Sequence, residues 1–498
     1  MFEIRKSIIF VTLMMLFFLA GDIQAPESSA KEATEQLKEK PPELIALEML
    51  PKETSQIKSL RKEIEAEIDA YSKRMIEMND WMYHNPETGH KEFKATKMFA
   101  SDLKAQGFRV KFGVDGLEEN YNKIVEERYN ARNLPTALVA KYKGNEEHPV
   151  ICFMLECDAL RSEKGPFHGC QHNMQGPVAL GSAIALAKVM EKHNIPGSVW
   201  VIHTPAEEVA PHTKAAMTKA GVFDEVDLLI RNHGTPDGDG IARRNEAGLG
   251  NCCMLNEIIL YKFFGKPAGA HMPWQGRDAL DAARLFFDAV DMLREHSEPS
   301  FRFMGTIIKV GEAPNVVNDY VVVDYVIRNA DRTGQEALDN KAGQIDTIAR
   351  AAAMATFCEV EIQHYGSMYN AIECGWLQAL AWKYTHEYGD AEAISEELLD
   401  PSSWDETGIG ALNVPGVLIK PAVSNIPETA GHSYENAAIT VSPEGHKALI
   451  QMAKIQAAIG LRLLSDPKLQ EKIKEEHAQW QKYGIKNGII TQEMIRKK

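Results

Sequence analysis

The chain has 498 residues, 44% hydrophobic and 25% charged, with Lys+Arg 55 against Asp+Glu 70 and a net charge of −15. That is the composition of a soluble globular protein, long enough for two folded domains rather than a single core. The acidic balance, with no basic stripe anywhere, argues against a nucleic-acid partner.

The first thirty residues read as an export signal. Arg5 and Lys6 precede an almost uninterrupted apolar run over 7–20, and small-residue cleavage sites follow at Ala25 or Ala30. The run is short for a bilayer span; an uncleaved N-terminal anchor is the alternative reading, and no later run is long enough to span. The expected location is therefore periplasmic or extracellular, with no stable membrane insertion after cleavage. Residues 31–54 are rich in Lys, Glu and Pro and read as a charged spacer. Helices are expected over 54–82 and 92–106, the first ending at His84-Asn85-Pro86-Glu87 and the second at Gly107.

Strands and helices then alternate. Apolar runs at 136–142 and 150–157 predict strands, 177–193 an Ala/Leu-rich helix, 198–204 a strand, 212–220 a helix and 227–231 a strand. This is the pattern of an α/β layer with a mostly parallel sheet. After Gly250 the pattern becomes strand 255–264, helix 278–295, strands 303–310 and 319–328, helix 334–356 and strand 358–365. That order, βαββαβ, is a ferredoxin-like unit inserted into the first domain. The α/β pattern resumes with a helix over 370–388, a strand over 416–420 and a helix over 443–464, before a charged, helical tail. The stripe Leu280, Leu285, Val290 and Leu293 on helix 278–295 is either core or a two-fold contact surface.

Chemistry-bearing residues gather at the ends of the predicted strands, where open α/β sheets bind ligands. Strand 150–157 runs into Asp158 and then Gly169-Cys170-Gln171-His172-Asn173. Strand 198–204 runs into Pro205-Ala206-Glu207-Glu208, strand 227–231 into His233, and Gly431-His432-Ser433 precedes the last long helix. Each fragment alone is weak: a glutamate pair is usually a solvated face, and a single histidine is usually a hydrogen-bonded core residue. Together they bring thiol, imidazole and carboxylate to one rim, a donor set suited to Zn²⁺ and its neighbours. One of two adjacent carboxylates can bind metal while the other serves as a base toward water. The seven cysteines, 152, 157, 170, 252, 253, 358 and 374, show no disulfide framework spacing. Cys152 and Cys157 read as buried strand residues, though in an exported protein some of the seven could pair.

With these motifs on one chain, the sequence resembles the aminoacylase-like metallo-amidohydrolases and metallopeptidases, relatives of glutamate carboxypeptidase and the auxin-conjugate hydrolases. Within them it looks most like the aminobenzoyl-glutamate hydrolase branch. The resemblance runs from Ile57 to Leu464 and includes His84-Asn85-Pro86-Glu87 with Glu92, and Glu156-Cys157-Asp158-Ala159-Leu160. It implies a catalytic domain in two parts, 55–253 and 369–465, a lid and dimerisation domain at 254–368, and a tail at 466–498. It further implies one or two divalent ions per subunit, zinc first and manganese second. Their ligands would be Cys170, His172, Glu208, His233 and His432, with Glu207 as general base and Asp158 orienting a ligand. Asn315 and Arg328 match lid positions that bind substrate or form the dimer interface.

Three departures stand out. Gln171 replaces a glycine of the metal loop, Glu156 replaces a shorter aspartate, and the lid histidine is displaced to His271. In the family that histidine reaches the partner subunit of a homodimer and polarises the scissile carbonyl; His271 is the candidate, against an ordinary surface histidine. The implied reaction is hydrolysis of the amide bond of an N-acyl or N-aroyl amino acid or dipeptide, a small-molecule substrate. A catalytically silent binding relative, or a thiol enzyme using Cys170, are the readings from other classes.

Overall fold

A computed structural model of the chain describes residues 42, 47–234, 254–311, 313–330, 334–368, 374–388, 413–419, 423, 431–488, 490–492 and 495. The expected export signal, most of the spacer, and Cys252 and Cys253 lie outside the described residues. No helix among those described is long and apolar enough to cross a membrane.

The first part of the chain forms α1 (Ser55–His84), α2 (Phe93–Ala105), β1 (Arg109–Phe112), α3 (Glu119–Tyr129), β2 (Leu138–Lys143), β3 (Val150–Leu155), α4 (His172–His193), β4 (Ser198–His203), α5 (Thr213–Lys219) and β5 (Leu228–Asn232). An inserted unit follows: β6 (Leu255–Phe264), α6 (Ala279–Arg294), β7 (Phe301–Lys309), β8 (Tyr320–Asn329), α7 (Gln335–Ala355) and β9 (Glu359–Met368). The chain then returns through α8 (Gly375–Tyr388), β10 (Gly416–Ile419), α9 (Tyr434–Ile439), α10 (Pro443–Ser465) and α11 (Pro467–Lys486).

The larger sheet has the order β1-β2-β4-β3-β5-β10. Strands β4, β3, β5 and β10 are parallel, and β1 and β2 add an antiparallel flank. Every residue of β3, β4 and β5 is buried, as expected where helices cover both faces. The period of two sorts β3: Ile151, Phe153 and Leu155 join the core beneath α1, α4 and α10, whereas Val150, Cys152 and Met154 join the one beneath α3 and α5. Helix α1 starts where Thr54 accepts a hydrogen bond from the Ile57 amide, and it buries Ile57, Leu60, Ile64, Ile68, Met75, Met78 and Met82 at helical spacing.

The inserted unit is the expected βαββαβ fold, an antiparallel sheet in the order β7-β8-β6-β9. One face carries Tyr261, Phe263, Val321, Val323 and Tyr325 against α6 and α7. The expected stripe on α6 needs correction. Ala279, Ala282, Ala283, Phe286 and Val290 face the core, Leu280 and Leu293 are half-buried, and Leu285 is 39% exposed. Small alanines let the helix lie close to the sheet, so the buried face is not the one bearing most of the leucines.

The other face of this sheet turns toward the first domain. Ile258, Leu260, Val322 and Tyr365 pack there against Ile124 of α3. Helix α3 and strand β1 were not expected from the sequence.

Candidate metal centre

Four loops meet beyond the carboxyl ends of the parallel strands. After β3 come Glu156 and Asp158; the first turn of α4 carries His172 behind the loop with Cys170; β4 leads to Glu207 and Glu208; β5 leads to His233. His432 stands just before α9, and its amide donates to the Gly169 carbonyl at 3.0 Å, joining that loop to Cys170's.

Asp158 is the organiser. It is 1% exposed, one carboxylate oxygen lies 3.1 Å from His172 Nδ1, and the other accepts from the Glu208 amide at 2.8 Å. One side chain thus fixes an imidazole and the backbone of the acidic loop together. Burial opposes the charge of Asp158, but His172, the Glu208 amide and Lys214 together outweigh it and hold the carboxyl below its usual range. Burial likewise opposes a charge on His172, yet Asp158 and then Glu156 push it up to about 9.

With Nδ1 held, His172 Nε2 turns toward acids. It lies 3.4 Å from Glu156 Oε2 and 4.0 Å from both Glu207 Oε2 and Glu208 Oε1. Glu208 Oε1 is buried with no hydrogen-bond partner and lies 3.9 Å from His432 Nε2. Cys170 Sγ is 3.3 Å from His233 Nε2, while His233 Nδ1 is 2.7 Å from the Gly234 carbonyl. Three overlapping groups result, each with its donor atoms within 4.8 Å of one another: Cys170, His172 and His233; Cys170, Glu208 and His432; Glu156, His172 and Glu207. An orphaned buried carboxylate oxygen beside imidazoles and a thiol is a donor set that fits a divalent ion. The Cys170 thiol is pushed well up by desolvation and then by the Glu208 and Glu207 carboxylates. That is opposite to what an activated thiol nucleophile needs.

The surrounding residues explain the sequence motifs. The Glu87 carboxylate accepts from the Lys94 and Ala95 amides, capping α2. Glu92 is fully buried and accepts from the Ala206 amide at 2.8 Å and the Thr136 hydroxyl at 2.8 Å. It thereby holds Ala206 at φ 61°, a left-handed conformation that L-residues rarely adopt. A Cβ on Gly89 would come within 2.6 Å of Val209 and 2.9 Å of Ala206, so only glycine lets this segment lie against the acidic loop. Gln171, the departure from the family's glycine, sits at φ 61° and donates to Asn436, whose own amide donates to the Gly169 carbonyl at 2.6 Å. The longer side chain ties the Cys170 loop to α9.

Lys214 was not singled out in the sequence. It is 1% exposed on α5 and ion-pairs with Glu156, whose other oxygen accepts from Gln175 at 3.0 Å. A lysine in a short, polar-looking helix gives no local sign that it is buried, and its partner is far away in sequence.

The lid candidates separate. Arg328 on β8 is half-buried and close enough to Glu207 and His432 for its charge to act on both. Burial lowers Arg328 to about 10, and Glu207 opposes that shift. His271 and Asn315 are exposed and meet each other's loop, the Asn315 carbonyl accepting from the Ala270 amide at 2.9 Å. Neither side chain has a hydrogen bond or ion pair with the donor cluster of its own subunit.

No protein-family model matches the chain. Among curated proteins, it is 26% identical over 441 residues to the Xaa-Arg dipeptidase of Mus musculus, spanning 85% of this chain and 93% of that one. It is 29% identical over 354 residues to one of the subunits of the p-aminobenzoyl-glutamate hydrolase of Escherichia coli (strain K12), spanning 67% of this chain and 66% of that one. Among solved structures, the aminobenzoyl-glutamate utilization protein from Klebsiella pneumoniae superposes with a TM-score of 0.56 at 18% identity, over 79% of this chain and 97% of that one. A Bacillus subtilis protein described as a dinuclear metal binding peptidase from the M20 family gives 0.51 at 18% identity, over 80% and 99% of the two chains.

Proposed function

We propose that the chain is a metal-dependent amidohydrolase of the M20 type, on its likeness to the dipeptidase, the aminobenzoyl-glutamate hydrolase subunit and the M20 peptidase fold, and that it hydrolyses the amide bond of an N-acyl or N-aroyl amino acid or a dipeptide. The observation that carries this is the convergence of Cys170, His172, Glu208, His233 and His432 on one rim, with Glu207 beside them and Arg328 facing them. These five residues would hold one or two divalent ions, with zinc favoured over manganese by the thiol. When bound, the metal supplies Lewis-acid charge to the scissile carbonyl and acidity to water.

The remaining roles fall to the chain's own side chains. Glu207, 5% exposed, takes the proton of the attacking water and returns it to the leaving nitrogen. Asp158 keeps His172 in the tautomer that presents Nε2. Arg328 pairs with the carboxylate of the substrate's amino-acid half. We also propose a homodimer, in which His271 acts on the partner's substrate. In its favour, β7 is an edge strand with Met304, Ile307 and Ile308 exposed, and the neighbouring α6 exposes Leu285 and Met292. Export is proposed from the charged-then-apolar start of the chain, and a mature N-terminus following Ala25 or Ala30, read by mass spectrometry, is its expected mark.

Paired variants test the assignment. Glu207→Gln should lower turnover of N-acyl amino acids by about 10³-fold or more while metal content stays near the wild-type value. Cys170→Ser should lower metal content and activity together, because a hydroxyl is a poorer ligand for a soft ion. A Glu207→Gln enzyme that keeps most of its rate, or a fully metallated and active Cys170→Ser enzyme, defeats the corresponding role.

A further inference from the structure

Helix α3 touches both halves of the site, and two consecutive residues at its end do so in different directions. Arg128 donates from Nη1 to the Tyr365 hydroxyl at 2.9 Å and from Nη2 to Asp324 Oδ2 at 2.7 Å. Tyr365 on β9 in turn donates to Asp324 on β8. Tyr129 points the other way: its hydroxyl donates to the Ala210 carbonyl at 2.7 Å, in the loop that carries Glu207 and Glu208. The Tyr129 ring also stacks on buried His90 at 4.5 Å, and His90 follows the glycine pressed against Ala206 and Val209.

Among the described residues, the two sheets meet at one apolar cluster beside α3. The cluster comprises Ile124, Ile258, Leu260, Val322 and Tyr365, with Ala210 of the acidic loop, Tyr320 and Val326 partly buried against it. Beside it lies a crevice lined by Glu118, His212, Lys219, Glu257 and His364. Apolar packing is non-directional, so directional contacts help to set the angle between two domains, and a two-pronged arginine on a carboxylate and a hydroxyl is strongly directional. Strand β8 alternates its side chains, so Asp324 and Arg328 lie on the same face, about 13 Å apart. A change of angle at Asp324 therefore moves Arg328 relative to Glu207.

We propose that Arg128 and Tyr129 are positioning residues which couple the setting of the inserted sheet, and with it Arg328, to the loop that presents Glu207 and Glu208. This rests on the reading above that the loop is catalytic, but its structural half can be measured without any substrate. Deuterium uptake by the amides of 206–210 and steady-state kinetics would be followed in metal-loaded wild type, Tyr129→Phe, Asp324→Asn and the double variant. Tyr129→Phe, which touches the loop, and Asp324→Asn, which does not, should each speed exchange there about threefold or more, with uptake in α1 and α10 unchanged. Each should lower kcat/KM about tenfold, Tyr129→Phe through kcat and Asp324→Asn partly through KM, and the double variant should fall no further than the worse single. If Asp324→Asn does not fold, Arg128→Lys, which keeps the charge and loses the fork, reads the same exchange. Unchanged exchange of 206–210 in the lid-side variant overturns the coupling, as does faster exchange spread evenly over the molecule. If exchange responds as expected and no N-acyl amino acid or dipeptide is turned over, the coupling stands and the assigned function falls.

Discussion

Glu156 and Lys214 form an ion pair almost wholly shielded from water, at 3% and 1% exposure, with Gln175 on the second carboxylate oxygen. Removing one partner leaves a buried charge, which costs far more than exchanging both for neutral groups. Lys214→Met should therefore destabilise the protein by about 3–5 kcal/mol, and adding Glu156→Gln should recover most of the loss in chemical denaturation. A double variant as unstable as the single would mean that the lysine matters for packing and not for the pair. The contrast between Lys214 and the proposed ligands shows what a sequence reveals at this scale. Cys170, His172, Glu208, His233 and His432 could be found because each follows a predictable strand or precedes a helix, so one-dimensional spacing converts into one rim. Glu92 carried a motif but no role, since its hydrogen bond to the Ala206 amide joins segments whose proximity only the folded sheet supplies. Nothing in the run Thr213-Lys214-Ala215-Ala216 distinguishes a buried ammonium from a solvated one.

Elements were legible in proportion to how much apolar surface they bury at a regular period. Strands β3 to β6 and helices α1 and α10 are regular, and their expected and observed ends agree within about two residues; α4 ends as expected but starts at His172, ahead of the expected 177, with Pro177 inside the helix. Helix α3 buries only Tyr121, Asn122, Ile124 and Val125 among its charged residues, and β1 is four residues at a sheet edge. Both lack the periodic stretch that would mark them. The inserted sheet has an electrostatic clip that joins three of its elements: His364 on β9 contacts Glu257 of β6 at 2.8 Å and Asp346 of α7 at 3.1 Å. Asp346 also accepts from Tyr261 and lies 3.7 Å from Arg350. The contacts with Asp346 and then Glu257 push His364 up to about 9 from 6.5. A raised pKa means that the stabilisation is fully present below pH 6.5 and is lost as pH rises through about 9. Solvent screens this half-exposed group, so the effect is modest. His364→Gln should lower Tm by about 2 °C near pH 6, and the gap should close above pH 9.5, roughly half a unit beyond that shifted value. A gap that stays constant with pH would rule out the charged contact.

At the scale of the whole molecule, the proposed dimer makes one working site from two subunits. The proposed two-fold pair rests on the exposed edge of β7 and on His271 lying apart from its own subunit's donor cluster. Mixing His271→Ala with Glu207→Gln subunits should then restore up to about a quarter of wild-type turnover, the share of intact sites after random exchange. No recovery after verified exchange would confine His271 to its own subunit or to no part in catalysis. The two-sheet architecture was legible because a change from alternating α/β to βαββαβ marks an insertion. The setting of one sheet on the other was not, because it depends on Arg128, Asp324 and Tyr365, three polar residues on three separate elements.

The pairing of β10 with β5 sets an order of events during synthesis. Strands β6 to β9 are contiguous and can complete their own sheet as they leave the ribosome. The larger sheet cannot, because the edge of β5 has no neighbour until the entire insertion has been made, and α1 lacks the α10 surface against which it packs. Through that interval an apolar parallel edge is available to any other nascent strand. A chain that stalls or is cut before Gly416 would carry a finished inserted sheet on an unfinished larger one, and would be a far greater aggregation hazard than a chain cut after Ser465.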